Sequence, residues 1–512
     1  MTLHLPQQAV EPFSGPDVNW FALSPMIILV SAALFLLVVG ALTPRWPKGL
    51  YAFVAAGAAG AAGALSMALW DDVTDKGTST LVGGALAFDT FALFVTITIC
   101  IGVVLVSLTA DDYLVREGLD GPEVYALFLV AATGGIVMGA ANDLIVLFVG
   151  LETLSLAFYV LAASYRRKAG SSESGMKYFV LGGFSSAFFL YGIALVYGAV
   201  GSTNISTMVT TVSSTIPVER NDALVLAGVA LLLVGLGFKI AAVPFHVWTP
   251  DVYQGAPTPV TAFMASVGKV AAFAALLRVF VVALPFYRDD WRPAIWALAV
   301  LSLVVGSFLA VVQTDVKRML AYSSISHAGF VLVGVEAAAH RAGEEDSGLG
   351  VPSVLVYLLA YAVLVAGTFA VVALVARRGD GDTSLDSFRG LGAQRPLLAL
   401  ALTVFLVAQA GVPFTSGFIA KFGVIRAGVD EHSYALAIIA MVSSVVAAFL
   451  YLRIMVSAWM SDPPTEGQGA TAVKIPLATG FAITAAVLFT LAVGIFPEWL
   501  LEAAETTTSF AR

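Results

Sequence analysis

Long apolar stretches dominate this chain, and polar residues gather in short breaks between them. A spanning helix needs about 20 mostly apolar residues. By that measure the sequence predicts about fourteen spans, roughly 24–42, 50–70, 85–108, 123–141, 143–164, 176–200, 222–243, 258–284, 293–313, 319–338, 352–376, 396–426, 434–459 and 475–497. The fourth and fifth are divided only by Asn142–Asp143, which predicts a tight turn there. The expected fold is an all-α polytopic membrane protein.

Two spans meet a Val-Pro-Phe tripeptide. Val243-Pro244-Phe245 ends the seventh, and Val412-Pro413-Phe414 interrupts the twelfth. A proline removes a helix hydrogen bond that lipid cannot replace, so each predicts a broken helix. The two spans lie five apart, hence cross the membrane in opposite directions. That pattern fits an inverted-topology repeat with one broken helix in each half.

Composition agrees with the pattern. The chain has 512 residues, 59% hydrophobic and 12% charged, against about 25% charged for a soluble domain. The net charge of −8 is spread over loops and implies no nucleic-acid partner. The lone Cys100 sits in an apolar run and reads as a small core residue. One cysteine cannot hold an iron–sulfur cluster or a zinc site. There is no GxGxxG or Walker A stretch, so redox chemistry is expected in another chain. The Gly57–Gly63 run reads as close helix packing. The N-terminus lacks a basic region before its first apolar run near Ser24, which reads as a retained segment and first helix.

Loop lysines and arginines set the orientation. With Arg166, Arg167 and Lys168 in the cytoplasm, the same side holds Arg45, Lys48, Arg116, Lys317, Arg318 and Lys474, among others, in excess over the opposite side. Both termini are then expected outside.

A few ionisable residues fall within apolar segments: Glu152 in the fifth span, Lys239 in the seventh, Lys269 in the eighth and Lys421 in the twelfth. A charge in hydrocarbon costs several kcal/mol, so such residues mark ion paths. Burial disfavours the charged form of each, whereas a nearby Glu–Lys pair favours both charges. Making and breaking that pair switches a lysine between holding and releasing a proton. Snorkelling or a structural ion pair is the competing reading for Lys269 and Lys421. Lys177 at the start of the sixth span, and Arg278 and Arg453, read as boundary anchors or structural pairs. His246 and His327 are suited to pass a proton either way, or to tie helices by hydrogen bonds. Ser323, Ser324 and Ser326 can hold water or bond backbone carbonyls. Asp251 and Gln254 read as loop-shaping residues.

These residues sit in stretches with a recognisable wording. GFKIAAVPFHVWTPDVYQGAPTPVTAF, DVKRMLAYSSISHAGF, and GVPFTSGFIAKFGV followed by LYLRIMV resemble the antiporter-like membrane subunits of respiratory complex I, the proton-pumping NADH:quinone oxidoreductase. The resemblance spans the fourth to thirteenth helices. It implies an N-terminal three-helix segment (1–115), a first five-helix repeat (116–285), a second, inverted repeat (286–460) and a last helix with its tail (461–512). It also implies that Glu152 and Lys239 are the coupling pair, Lys269 the central relay and Lys421 the residue toward the outer exit, with His246 and His327 as motif histidines. FMN, iron–sulfur clusters and quinone are implied in other subunits, with neighbouring antiporter-like and small membrane subunits as partners in a bacterial plasma membrane. The alternatives are a subunit of an Mrp-type cation/proton antiporter, which shares the fold, and a structural scaffold, which has no use for four desolvated charges.

Overall fold

A computed structural model of the chain describes residues 18–43, 46–213, 222–344, 348–376, 380–462 and 475–511. The helices are α1 (Trp20–Leu42), α2 (Leu50–Lys76), α3 (Thr90–Glu117), α4 (Pro122–Ala140), α5 (Leu144–Ala162), α6 (Ala169–Val200), α7 (Ile205–Ser213), α8 (Asp222–Lys239) and α9 (Thr249–Gly255). They continue as α10 (Thr258–Ala283), α11 (Arg288–Val311), α12 (Val316–His340), α13 (Gly350–Val375), α14 (Pro396–Ala410), α15 (Ser416–Asp430), α16 (Tyr434–Met460), α17 (Leu477–Ile495) and α18 (Glu498–Glu505). Thirteen helices among the described residues are long and apolar enough to cross a membrane.

Thirteen of the fourteen predicted spans correspond to helices long and apolar enough to cross a membrane, the twelfth is broken as its proline predicts, and the third and seventh have shifted ends. The third, expected from residue 85, begins later, because a short antiparallel hairpin of β1 (Ser79–Leu81) and β2 (Leu86–Phe88) precedes it. Asp89 then caps α3, accepting from the Ala92 amide at 2.8 Å. The seventh stops at Lys239. The twelfth is two half-helices, α14 and α15, joined through Gly411–Thr415.

The Asn142–Asp143 turn is tied down as its residue types require. Asn142 donates to the Gly84 carbonyl at 2.9 Å, and Asp143 caps α5 by accepting from the Ile145 and Val146 amides. In the Gly57–Gly63 run the packing face is Ala59, Ala62 and Gly63, whereas Gly57 and Gly60 face outward. A Cβ added at Gly57 or Gly60 would meet nothing within 4 Å, and only Gly63 faces a neighbour, the Cβ of Cys100 at 3.2 Å. Closer crossings lie elsewhere: a Cβ on Gly134 would lie 2.7 Å from the Gly150 carbonyl oxygen, and one on Gly306 2.5 Å from the Ser326 amide.

Burial sorts the helices into a rim and a centre. The apolar windows of α10 and α12 are wholly buried, whereas α1 is mostly exposed. Outward apolar residues such as Phe184, Phe188 and Leu488 belong to the rim, where a bilayer replaces a protein neighbour. The central helices carry the ionisable residues.

Candidate functional site

Lys239 is the last residue of α8 and is 7% exposed. The chain leaves the helix there through Ala241 in a left-handed conformation and a cis Val243–Pro244 peptide. The Val243 amide is satisfied by the Ser302 hydroxyl of α11 at 2.9 Å. The ammonium lies 3.4 Å from the Tyr178 hydroxyl, and 5.2 and 5.6 Å from the ring centroids of Tyr178 and Tyr159. Ring faces attract a cation without neutralising it. Trp248 stacks on Tyr178 at 4.5 Å and fixes that wall of the cage.

Glu152 on α5 is half-buried and accepts a hydrogen bond from the Ser186 hydroxyl of α6. No ion pair joins it to Lys239 among the described residues. The expected pair is therefore open in this structure: the tyrosine cage faces the lysine, and a serine holds the carboxylate.

Lys239 and Lys269 line the wall of one small cavity, with Tyr178, Trp248 and Tyr253. Its room for the centre of a water-sized sphere is ≈ 10 Å³, enough for roughly one water. Lys269 is 3% exposed and directly follows a π-helical stretch, Met264–Gly268. Such bulges often mark functional sites. Its ammonium donates to the Ser324 carbonyl of α12. The Tyr361 and Ser324 side chains are buried.

One turn on, the His327 imidazole contacts two tyrosines, with Nδ1 2.7 Å from the Tyr357 hydroxyl and Nε2 3.0 Å from that of Tyr451. Tyr451 in turn bonds Ser323 at 2.6 Å. Lys421, on α15, lies 4.6 Å above the Phe330 ring. It donates to the Ala410 carbonyl at 3.1 Å and the Ser444 hydroxyl at 2.9 Å. Ala410 ends α14, so the cation sits at the negative end of that half-helix. Gly411, at φ +90°, makes the close approach possible.

Not every expected residue joins this row. His246 lies on the α8–α9 connection, half-buried, with Nδ1 unpartnered among the described residues. Lys177 is two turns inside α6 rather than at its start. With Arg318 it clamps Asp251, each at 2.7 Å. Burial pushes the Asp251 carboxyl up, but the Lys177 and Arg318 bonds outweigh it and hold the group below the usual carboxylate range. Gln254 also accepts from Arg318, at 3.2 Å. Arg278 forms a buried pair with Asp89 at 2.6 Å, and Arg453 bonds the Val311 and Gln313 carbonyls. Both are structural.

Lys317, read from the sequence as a loop residue, is fully buried. It donates to the Ala256 carbonyl at 2.6 Å and to Asp380 at 3.3 Å. The sequence reading also missed Tyr159, Tyr178, Tyr357, Tyr451 and Ser444. Tyrosines and serines in apolar helices carry no signal that separates relay from packing. A proline or a mid-helix lysine does.

Comparison with known proteins places this geometry. A family profile described as "NADH:quinone oxidoreductase/Mrp antiporter, TM" matches residues 141–447. The chain is 41% identical to NADH-quinone oxidoreductase subunit N 3 of Streptomyces griseus, over 98% of this chain and 96% of that one. It is 43% identical to NADH-quinone oxidoreductase subunit N of Acidothermus cellulolyticus, over 97% and 98%. A solved chain of respiratory complex I from Thermus thermophilus superposes with a TM-score of 0.77 at 31% identity, covering 94% of this chain and 100% of that one. A chain of the Mrp complex from Dietzia sp. shares the fold, with a TM-score of 0.80 at 22% identity. The chain belongs to the family of NADH-quinone oxidoreductase subunit N, the antiporter-like membrane subunits of complex I.

Proposed function

We propose that this chain translocates protons within the membrane arm of an NADH:quinone oxidoreductase. NADH oxidation and quinone reduction, with their FMN and iron–sulfur clusters, belong to other subunits. One observation carries the reading: Lys239, Lys269 and Lys421 are all buried, yet none forms an ion pair with a carboxylate among the described residues. Neutral partners leave a lysine free to change its protonation state.

In the proposed cycle, Glu152 and Lys239 form the switch. When the carboxylate closes on the ammonium, the proton is held. When it withdraws to Ser186, the tyrosine cage alone remains and the proton moves on. The small cavity shared by Lys239 and Lys269 is the first crossing. The Ser324, Ser323 and His327 side of α12, with Tyr451 of α16, is the second, leading toward Lys421. The helices from α4 to α10 and from α11 to α16 act as the two inverted halves, each with one broken helix, and both termini lie outside.

The test is NADH-driven proton pumping by the intact complex carrying Lys239→Ala or Glu152→Ala. Pumping per NADH oxidised is expected to fall in both. Wild-type pumping in an assembled complex would refute the mechanism.

A further inference from the structure

Beyond Lys421, helix α12, whose apolar window is wholly buried, continues for ten residues to its end at the partly exposed His340. Glu336 lies six residues past Phe330, about 9 Å further along the helix, and its side chain is 4% exposed. His340 follows one turn later, with Nε2 3.1 Å from Glu336 Oε1. The second carboxylate oxygen accepts from the Ser433 hydroxyl at 2.8 Å. Arg292, from the first turns of α11, reaches His340 Nδ1 at 3.1 Å. Close by, Arg341 is paired with Glu431 at 2.8 Å.

The chemistry of these contacts assigns the tautomer. A guanidinium only donates, so Nδ1 must accept. The ring proton is then on Nε2, which donates to Glu336. A nitrogen that carries a proton cannot take one from Glu336. While Arg292 is in place, the ring is closed to outward transfer and held against turning.

We propose that Glu336 and His340 form the last relay between Lys421 and the outer surface, and that Arg292 is its lock. The proposal rests on the translocation reading above. Asp289, one turn before Arg292 and 3.9 Å from its guanidinium, gives the arginine a second resting place in water, since its side chain is 83% exposed. Once Arg292 swings there, the imidazole turns its bare nitrogen to Glu336. A proton delivered from Lys421 to the carboxylate passes to that nitrogen. The opposite N–H gives its proton to outer water. One proton has entered the ring and one has left, the carboxylate is restored, and the nitrogen now bare faces outward, where the returning Arg292 can donate to it. Return of Arg292 closes the relay against back-flow.

The experiment uses the purified complex in sealed proteoliposomes, with Lys421→Ala as the reference. Glu336→Gln and His340→Asn are expected to lower protons moved per NADH oxidised as far as Lys421→Ala does. Arg292→Gln is expected to collapse an imposed pH gradient several-fold faster without NADH, and Arg292→Lys to restore tightness. A purely structural cluster would move none of these readouts. If Lys421→Ala lowers pumping while Glu336→Gln and His340→Asn pump normally and Arg292→Gln stays tight, the relay is wrong and the translocation reading stands. If Lys421→Ala pumps normally, the translocation reading itself falls. Should Glu336→Gln block assembly, the leak of the half-exposed Arg292→Gln decides alone.

Discussion

Lys317 and Lys269 are both buried lysines of neighbouring helices, and their partners differ in kind. Lys317 faces the Asp380 carboxylate, and the side chains of the pair are 0% and 1% exposed. Asp380 also accepts from the Tyr113 hydroxyl at 2.8 Å and the Thr258 amide at 3.2 Å. Lys269 faces a backbone carbonyl, that of Ser324. A charge locked to an opposite charge joins helix ends. A charge held by dipoles alone can be given up. The chain uses the first arrangement where helices must stay together and the second along the proposed proton row.

That contrast is breakable. Asp380→Asn leaves Lys317 buried beside a neutral amide, a loss of about 3–5 kcal/mol for a broken buried pair. Asparagine tolerates the left-handed backbone at this position, φ +49°, so the charge is the variable. Acid does the same more gradually. Burial pushes the Asp380 carboxyl up, but the Lys317 and Lys168 charges and the Tyr113 and Thr258 hydrogen bonds together outweigh it, so its pKa is lowered on folding. Its contribution is therefore complete above about pH 4 and is lost as pH falls through the lowered value. Thermal unfolding of the purified complex as a function of pH reads both effects, and the acid sensitivity should be smaller in Asp380→Asn.

A smaller loss is expected from Gly411→Ala. The left-handed backbone costs an alanine roughly 1–2 kcal/mol, and the new Cβ would lie 2.9 Å from Lys421 Cδ. Pumping should fall with it, because the ammonium is pushed from the Ala410 carbonyl. Unchanged pumping and unfolding temperature would show that this cap is dispensable.

Lys269→Met should affect stability least. It leaves no carboxylate behind and removes a desolvated charge. Assembly on native gels is expected at wild-type level, with pumping lost. An unassembled Lys269→Met complex would place Lys269 with Lys317, as a structural charge.

The fold was legible because a bilayer imposes one strong rule, long apolar helices, and proline and glycine mark the departures. Lys239, Lys269 and Lys421 were legible for the same reason, since a mid-helix charge has no ordinary use. The interruption at Val243-Pro244-Phe245 falls at Lys239, where the chain had to leave the helix. Lys317 looked like a loop residue, and Gly57 and Gly60 looked like contacts of their run, because neither burial nor a neighbour is written in local sequence.

The sequence by itself determined the spans, the two breaks, the mid-span charges Glu152, Lys239, Lys269 and Lys421 and the family wording, all consequences of local composition and spacing. Only the tertiary structure decided what each charge meets. Asp380 and Lys317 are 63 residues apart, and Lys269 and Ser324 are 55 apart. Helix packing sets those distances, and they separate a rivet from a relay.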